Sequence, residues 1–565
     1  MPPANQSAAV SSARVTVHGV VLNASSGEPL PRALVRLTSS GAMGTLTDGD
    51  GRYEFADIPV GPQLFEIKKP GFLDETAEAV EASGGDMRGF AHTVIVAADM
   101  PDVNFKMSPT NSIHGQVQLS TGDVAQGIEL TLLKQSVQNG RLVWQLVTIA
   151  KTNADCVYRF GGLADGSYVV YTAPAMDSET LGPLAIPNNA RNIERSGYAS
   201  QFYAEARDLA GAAKIQLHGG EQAQADLLLT LETFHAVTAT AFPHSGGAGQ
   251  DFTPGRPGTT FSAIVTDIQG HQLPYVAQYD QATHSVRALL PDGSYTLVVT
   301  AGRPTLVVRS RGIATAARDD GPYTGAVEFS VAGHAVTNLR IALANAHSNP
   351  VQVNLMRSNS QTNGPSANMD GEDSVFLTLS QAGGWIGDGM MNTFAMGPST
   401  GPLNTSIAQP GTYWVHTNLA DKHVCEGSLT AGGTNLAREP LTLGISSSTP
   451  PVTLNLRDDC ARLSLTLQAT AAGSGAGEEP SYAVYVVPDF DSTEDVIPQT
   501  LHPWAGGNAT LEGLTPGNYH VYVFDKPVAL AYHDRAALDA LPNTGQAIEL
   551  TPSANATLML EVPNR

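Results

Sequence analysis

Two short segments place a glutamate three residues after a histidine, at His218–Glu221 and His423–Glu426. With this spacing both side chains can bind one zinc ion, provided that a further histidine comes from elsewhere in the chain. The pattern is short enough to arise by chance, as its second occurrence illustrates. The first pair also lies in a Gly-Gly turn ahead of a closing strand. We therefore predict no metal site, no catalytic residues and no cofactor.

The segment Thr47–Gly61, TDGDGRYEFADIPVG, alternates aspartate and glycine as half of a calcium-binding loop does. A complete loop needs oxygen ligands at several fixed offsets and an acidic residue at its end, and only part of that set is present. A hairpin needs residues that tolerate positive φ, which Gly49, Asp50 and Gly51 can supply. We predict a hairpin turn rather than a calcium site.

The composition is that of a globular, acidic chain. Of 565 residues, 42% are apolar, and 53 acidic residues against 31 basic ones give a formal net charge of −22. This charge repels nucleic acids and anionic membranes, so neither is an expected partner. The length exceeds what one hydrophobic core usually supports, which predicts several domains of about 100–150 residues.

The start of the chain, residues 1–13, is predicted to be a disordered N-terminal segment. It has neither the basic nor the apolar region of an export signal, and no stretch reaches the roughly 20 apolar residues of a membrane helix, so we predict no membrane span. Its small polar residues resemble the sequence that follows a signal cleavage site. We expect an exported protein whose signal has been removed from this sequence, either by trimming or because the start of the chain was wrongly assigned.

A glycine turn followed by a strand, often with an aromatic residue, recurs about once per domain length, at Gly61, Gly166, Gly293, Gly411 and Gly517. Each copy is followed by an alternating strand that closes one unit, and another strand opens the next. The period predicts five modules, with the boundaries 14–110, 111–233, 234–347, 348–460 and 461–565.

Strand signals dominate within these units. Segments such as RYEF and QLFEI alternate apolar with polar residues between Gly, Pro and Asp turns, which puts one face of each strand on a core. The predicted fold class is all-β, a tandem array of five antiparallel β-sandwich modules. Two short helices are expected as insertions, one in HDRAALDALP with Asp534 as its N-cap and one in QFYAEARDLAG.

Three cysteines are present. Cys425 and Cys460 can lie across adjacent strands of one sandwich, either as two buried thiols or as a disulfide. A disulfide would close a loop of about 35 residues, contribute roughly 3–4 kcal/mol and indicate an oxidising compartment. Cys156 precedes a strand and is expected in a core or at a sheet edge.

Tryptophans in loops are the candidates for ligand binding. Trp144 and Trp414 lie in strand patterns, where core packing is the default. Trp385 and Trp504 lie in Gly-rich loops, where an exposed ring can stack on a sugar or fold back onto a neighbouring module. We predict these two as ligand-binding residues.

The stretch VHGVVLNASSGEPLPRALVRLTSSGAMGTLTDGDGRYEFADIPVG resembles the carboxypeptidase regulatory-like module, a prealbumin-like β-sandwich also grouped with carbohydrate-binding-like folds. Segments further along, such as VCEGSLTAGGTNLAREPLTL and LRDDCARLSL, resemble parts of large exported bacterial proteins built from such modules. The resemblance implies a non-catalytic, extracellular or cell-envelope protein. It also implies that Cys425 and Cys460 are joined as a disulfide.

Three functions are compatible with these features. The first is a secreted or cell-surface modular protein with a structural, adhesive or binding role, and this is our prediction. The second is a carbohydrate-binding protein that uses the loop aromatics. The third is a subunit of an extracellular filament that adds strands at open sheet edges. The expected partners are accordingly a polysaccharide, neighbouring cell-surface proteins, or further copies of the chain.

Overall fold

The structure, a computed structural model, describes residues 13–39, 43–77, 91–98, 100–178, 194–243, 260–268, 270–280, 283, 285–302, 323–345, 351–356, 375–383, 385–386, 392–397, 400–405, 411–444, 451–467, 477–478, 482–502 and 507–561. The predicted N-terminal segment therefore lies outside the described residues, apart from residue 13. Nearly all of the regular structure is β-strand, and the predicted all-β class is confirmed. Among the described residues, no helix is long and apolar enough to cross a membrane.

The strands are numbered in chain order and are grouped below by the proposed module in which each begins. Those of the first are β1 (Arg14–Asn23), β2 (Leu34–Leu37), β3 (Met43–Leu46), β4 (Arg52–Pro59), β5 (Gly61–Lys68), β6 (Phe72–Asp74), β7 (His92–Val96) and β8 (Phe105–Pro109). Those of the second are β9 (Asn111–Leu119), β10 (Glu129–Gln138), β11 (Arg141–Lys151), β12 (Val157–Leu163), β13 (Gly166–Thr172), β14 (Ala175–Met176), β15 (Glu194–Tyr198), β16 (Ile215–Leu217), β17 (Gln222–Gln224), β18 (Leu227–Leu229) and β19 (Leu231–Pro243), which runs on into the third. The third continues with β20 (Thr260–Thr266), β21 (Gln272–Asp280), β22 (Ser285–Leu290), β23 (Gly293–Gly302), β24 (Tyr323–Val331) and β25 (Val336–Asn345). The fourth contains β26 (Val351–Met356), β27 (Val375–Gln381), β28 (Trp385–Ile386), β29 (Asn392–Gly397), β30 (Gly401–Thr405), β31 (Gly411–Leu419), β32 (Cys425–Ala431), β33 (Thr434–Asn435), β34 (Leu441–Leu443) and β35 (Val452–Arg457). The fifth contains β36 (Ala461–Leu467), β37 (Gly477–Glu478), β38 (Tyr482–Pro488), β39 (Gln499–Leu501), β40 (Asn508–Leu514), β41 (Gly517–Phe524), a helix α1 (Arg535–Asp539), β42 (Gln546–Leu550) and β43 (Asn555–Leu560).

Five large hydrophobic clusters each draw their buried residues from one stretch of the chain. These stretches are 17–107, 113–229, 237–343, 351–456 and 461–560. In the first, the sheets β4-β1-β8-β6 and β3-β2-β5-β7 contribute side chains to one core, because strands such as β4 bury alternate residues. This partition supports the five modules that we propose.

One pair of strands crosses the proposed boundary at residue 233. Strands β14 and β15 precede this boundary, yet β15 pairs with β19 and both extend the sheet of the third module. A small cluster of Met176, Ala199, Phe234, Ala236 and Leu289 covers the join. The second and third modules therefore share a continuous sheet, which the sequence pattern did not predict.

The recurring glycine turn carries a tyrosine that bonds back to the turn. In three copies the tyrosine O–H donates to the carbonyl four residues earlier: Tyr168 to Ala164 (2.8 Å), Tyr295 to Pro291 (3.1 Å) and Tyr519 to Thr515 (2.6 Å). All three rings are buried, so the bond satisfies an O–H group that water does not reach. The glycine–tyrosine spacing in these three copies follows from this bond.

The turn at Asp48 differs in part from its prediction. Its Oδ1 accepts the backbone N–H groups of Asp50 (2.9 Å) and Arg52 (2.8 Å). The turn is not a hairpin, because it leads from β3 in one sheet to β4 in the other. Of the three residues expected to adopt positive φ, only Gly51 does so, at 69°, whereas Gly49 and Asp50 do not.

One of the two predicted helices is present. Asp534 caps α1 by accepting the N–H groups of Ala536 and Ala537, as predicted. The predicted helix in QFYAEARDLAG is wrong. Ala204 and Glu205 both adopt the left-handed conformation there, with φ of 63° and 64°, which no α-helix contains.

Modules that are distant in sequence contact each other. Strand β28 of the fourth module pairs with β11 of the second, and β37 of the fifth pairs with β7 of the first. The Lys526 ammonium also forms an ion pair with Glu75 at 2.9 Å. The order of the modules along the chain is therefore not their order in space.

Candidate ligand-binding cleft

A cleft of about 1260 Å³ lies where the second, third and fourth proposed modules meet. The larger part of its wall comes from the sheet that the second and third modules share. Its aromatic lining residues are Trp144, Tyr171, Phe202, Tyr275 and Tyr295. Its ionisable lining residues, apart from tyrosine, are Glu194, Arg207, Asp208, Lys214, Glu232, His235, Asp267, His271 and Asp292. One concave surface thus presents both apolar and polar side chains to a ligand.

His235 is the buried imidazole of this wall. Strand β19 places it opposite Glu194 on β15 and Leu290 on β22, and it is only 4% exposed. Its Nδ1 lies 3.6 Å from Oε1 of Glu194, and its Nε2 lies 3.5 Å from Oδ1 of Asp292. Nδ1 has no hydrogen-bond partner. Buried polar atoms are nearly always paired, so this nitrogen is an exception on the cleft wall.

Ser200 provides a second orphan atom on the same wall. Its side chain is 6% exposed, and its Oγ has no hydrogen-bond partner. Tyr275 and Tyr295 line the cleft as well, with their rings edge to face at 6.1 Å between centroids. Burial raises the pKa of both phenols above the ordinary value, so both remain neutral hydroxyl groups.

The two strongly basic side chains of the cleft already have partners. The guanidinium of Arg207 forms an ion pair with Glu232, and this hydrogen bond raises the pKa of Arg207. The Lys214 ammonium lies 5.7 Å from the ring centroid of Trp144. Glu232 therefore offsets the charge of Arg207 at this wall.

The fourth module closes one side of the cleft through His271. The Nδ1 atom of His271 lies 2.9 Å from Oδ2 of Asp267, and its Nε2 donates to the carbonyl of Ala382 at 2.9 Å. The hydrogen bond to the carboxylate raises the pKa of His271. Because both partners can accept, these bonds suit the protonated ring. A third bond, from Nε2 of Gln381 to the carbonyl of Gly270 at 2.6 Å, fixes the same segment.

The two predicted ligand-binding tryptophans have different outcomes. Trp385 was expected in a Gly-rich loop, but its backbone lies in β28, where it pairs in parallel with Trp144 of β11. The residues just before this strand, Gln381 and Ala382, are the ones that bond to Gly270 and His271 of the third module. Trp504 lies outside the described residues. Ligand binding by either ring stays a prediction.

The two His-x-x-Glu segments have separate structural roles. His218 and Glu221 are exposed in a turn, where the backbone N–H of Glu221 donates to Oδ1 of Asn111 at 2.7 Å. Glu426 is buried between the fourth and fifth modules, and its carboxylate accepts the N–H and O–H groups of Thr493 at 3.1 and 2.6 Å. Within the part of the chain that the structure describes, no group of three or more histidine, cysteine or acidic residues can hold a metal.

Cys425 and Cys460 are joined by a disulfide, with their Cα atoms 5.8 Å apart. The bond ties the start of β32 to the residue that precedes β36, so it lies where the fourth module passes into the fifth. Cys156 is a free thiol that packs against the second core, and its Sγ accepts the N–H of Ala125 at 3.2 Å.

Comparison with known proteins identifies the first module. Residues 16–94 match the family model of the carboxypeptidase regulatory-like domain. This segment is similar to that domain. The match covers the first sandwich and none of the residues that line the cleft. No curated protein matches the chain.

Several solved structures match the chain at low identity and with TM-scores of 0.20 or less. The Bacillus anthracis TIE protein is 12% identical with a TM-score of 0.16, over 59% of this chain and 51% of that one. The minor pilin GBS52 of Streptococcus agalactiae is 14% identical with a TM-score of 0.20, over 38% and 95%. The shaft pilin SpaA of Lactobacillus rhamnosus GG is 12% identical with a TM-score of 0.19, over 39% and 98%. The chain thus spans about half the length of the TIE protein.

The residues that form the cleft wall were not predicted from the sequence. Glu194, Ser200, His235 and Asp292 are far apart along the chain, and no spacing motif connects them. One signal is present in FHAVTAT, where Phe234, His235, Ala236 and Val237 are all buried. A histidine inside such a run on a central strand is buried, and its partners then have to be sought.

Proposed function

We propose that this chain is a non-catalytic modular protein of the cell surface or the extracellular space, and that it binds a partner in the cleft where its second, third and fourth modules meet. The observation that carries the proposal is the pair of buried, unpaired polar atoms on the cleft wall, His235 Nδ1 and Ser200 Oγ. An unpaired buried polar atom costs about 1–3 kcal/mol, and a ligand in the cleft that bonds to these two would recover part of that cost.

The filament alternative is less well supported than the binding role. Open sheet edges were expected to recruit strands from other chains. Part of the β7 edge is instead paired with β37, and part of the β11 edge is paired with β28, both within the same chain. Edges that are covered internally are protected against edge-to-edge association.

Binding of simple probes to the intact chain tests the proposal. The probes are an octalysine peptide, an octaglutamate peptide and a neutral oligosaccharide of seven glucose units, measured by calorimetry. We expect at least one to bind saturably at one site. The variant Gln272→Trp places a bulky ring at an exposed position of the cleft lining and should weaken that binding by about tenfold or more.

The matched control is Gln118→Trp, an exposed strand position on β9 outside the cleft lining, which should leave binding unchanged. Equal effects of both substitutions, or no binding of any probe, would contradict the binding role. Turnover of a peptide substrate that stops on addition of a chelator would contradict the non-catalytic assignment.

A further inference from the structure

The charge of the cleft restricts the ligands that it can accept. Five carboxylates line it, whereas its two strongly basic residues, Arg207 and Lys214, already contact Glu232 and Trp144. The chain as a whole carries a formal net charge of −22. An anionic ligand would therefore enter against both the local and the long-range field, and a cationic one would be attracted by both.

The carboxylates next to His235 are open to solvent. The side chain of Glu194 is 61% exposed and that of Asp292 is 63% exposed. Their oxygens lie 3.5–3.6 Å from the imidazole nitrogens, which is longer than a good hydrogen bond. Oδ1 of Asp292 also accepts the backbone N–H of Gly333 at 2.7 Å. A cation beside either carboxylate can form a charge-assisted hydrogen bond with it without displacing a buried ion pair.

The orphan atoms also match a donor-rich ligand. Oγ of Ser200 can accept a hydrogen bond, and so can Nδ1 of His235 in the tautomer that carries its proton on Nε2; neither atom has a partner in the described residues. An ammonium carries three donors and a guanidinium five, and neither carries an acceptor. Such a group can thus donate to a carboxylate, and to an orphan atom where the covering side chain rotates aside.

The remaining features suit a side chain on a polypeptide rather than a small amine. The half-buried ring of Tyr275 lies on the wall, and such a surface can pack the aliphatic stem of lysine or arginine or hold its cation over the ring. The cleft volume of about 1260 Å³ exceeds the usual range of roughly 300–1,000 Å³ for small-molecule sites. The cleft is therefore large enough to hold several residues of a polypeptide.

We propose that the cleft binds a lysine- or arginine-bearing segment of another polypeptide, with Glu194 and Asp292 as the charge-recognising residues and Ser200 and His235 as additional acceptors. This inference rests on the binding role proposed above and names the ligand class of the same site.

Octalysine binding to charge-neutralised variants tests this ligand class. The double variant Glu194→Gln, Asp292→Asn should weaken octalysine binding by about tenfold or more, because two charge-assisted bonds are lost. The matched control is Glu54→Gln, Asp57→Asn in the first module, which removes the same charge from side chains of similar exposure. This control should change the affinity less than about threefold, by the general field alone. Ser200→Ala should weaken binding while leaving the melting temperature unchanged or raised, because it removes an unpaired hydroxyl.

The outcomes separate the ligand class from the binding role. Equal loss in the two double variants means that octalysine binds through net charge only, and this overturns the inference. Preferred binding of the oligosaccharide, sensitive to Gln272→Trp, also overturns it but leaves the binding role intact. If no probe binds, both proposals fail.

Discussion

The guanidinium of Arg141 lies 3.4 Å from the ring centroid of Trp414, although the two residues belong to the second and fourth modules. Its Nη2 also donates to the carbonyl of Ala437 at 3.1 Å. Burial lowers the pKa of Arg141 to about 10, which leaves it charged at neutral pH. The preceding residue, Gly140, accepts the backbone N–H of His533 in the fifth module at 3.1 Å. One turn of the second module thus contacts both the fourth and the fifth.

Replacing Arg141 by alanine should loosen this junction. The substitution removes a desolvated cation–π contact and a hydrogen bond to a carbonyl, so the expected loss is about 2–3 kcal/mol. Urea denaturation should show a lower midpoint for the variant. The control Arg159→Ala, at an exposed position of the same module, should have little effect. Equal midpoints for the two variants would show that the junction contributes little to stability.

The sequence predicted the strands better than it predicted their partners. Alternation identifies a strand such as β4, because it depends only on which face meets a core. The pairing of β28 with β11 could not be read this way, because a two-residue strand has no period. Glu426 illustrates the same limit. Its burial depends on Thr493 of another module, and a lone glutamate on a strand is ordinarily assigned to solvent.

The turn that begins at Asp48 recurs in the second module. In the second module Asn153 takes the place of Asp48, with its Oδ1 accepting the N–H groups of Asp155 and Val157, both at 3.0 Å. Cys156 then adopts the positive φ, 62°, that Gly51 has in the first module. The turn was therefore predictable as a repeat, because its conformation is fixed by one side-chain acceptor.

Replacing Gly115 by alanine should be poorly tolerated. A Cβ at this position would lie 2.0 Å from the carbonyl oxygen of Ala225, a backbone atom that cannot move aside alone. We expect a loss of about 3 kcal/mol or more. Gly161→Ala is the matched control in the same module, because its Cβ would meet no atom closer than 3.8 Å. Thermal unfolding of the two variants measures the difference, and similar melting temperatures would contradict the close approach.

Removing the disulfide should destabilise the junction of the fourth and fifth modules. The bond closes a loop with a sequence separation of 35, so Cys425→Ser with Cys460→Ser should cost roughly 3–4 kcal/mol. Reducing agent should lower the melting temperature of the natural chain and leave that of the double variant unchanged. Cys156→Ser, which keeps an acceptor for the N–H of Ala125, should remain sensitive to the reductant. A natural chain that is insensitive to reductant would contradict this prediction.

The contact between Glu426 and Glu494 should make stability depend on pH. Desolvation raises the pKa of both carboxyl groups, and that of Glu494 reaches about 8, with the charge of Glu426 as a second cause. The backbone N–H of Glu426 donates to Oε1 of Glu494 at 3.0 Å. Lys422 and Asp495 are the other charged groups that act on Glu494.

A carboxyl whose pKa is raised by folding binds its proton more tightly in the folded state. Its contribution to stability is therefore complete below the unfolded value, near 4.5, and is lost as the pH rises through about 8. We expect the free energy of unfolding to fall over this window by an amount on the order of a few kcal/mol. The variant Glu494→Gln keeps an oxygen to accept the Glu426 N–H and cannot ionise, so its stability should vary less with pH and exceed that of the natural chain at pH 8. Glu549→Gln, at an exposed position of β42, is the control and should follow the natural profile. Parallel pH profiles for the natural chain and Glu494→Gln would contradict the assignment.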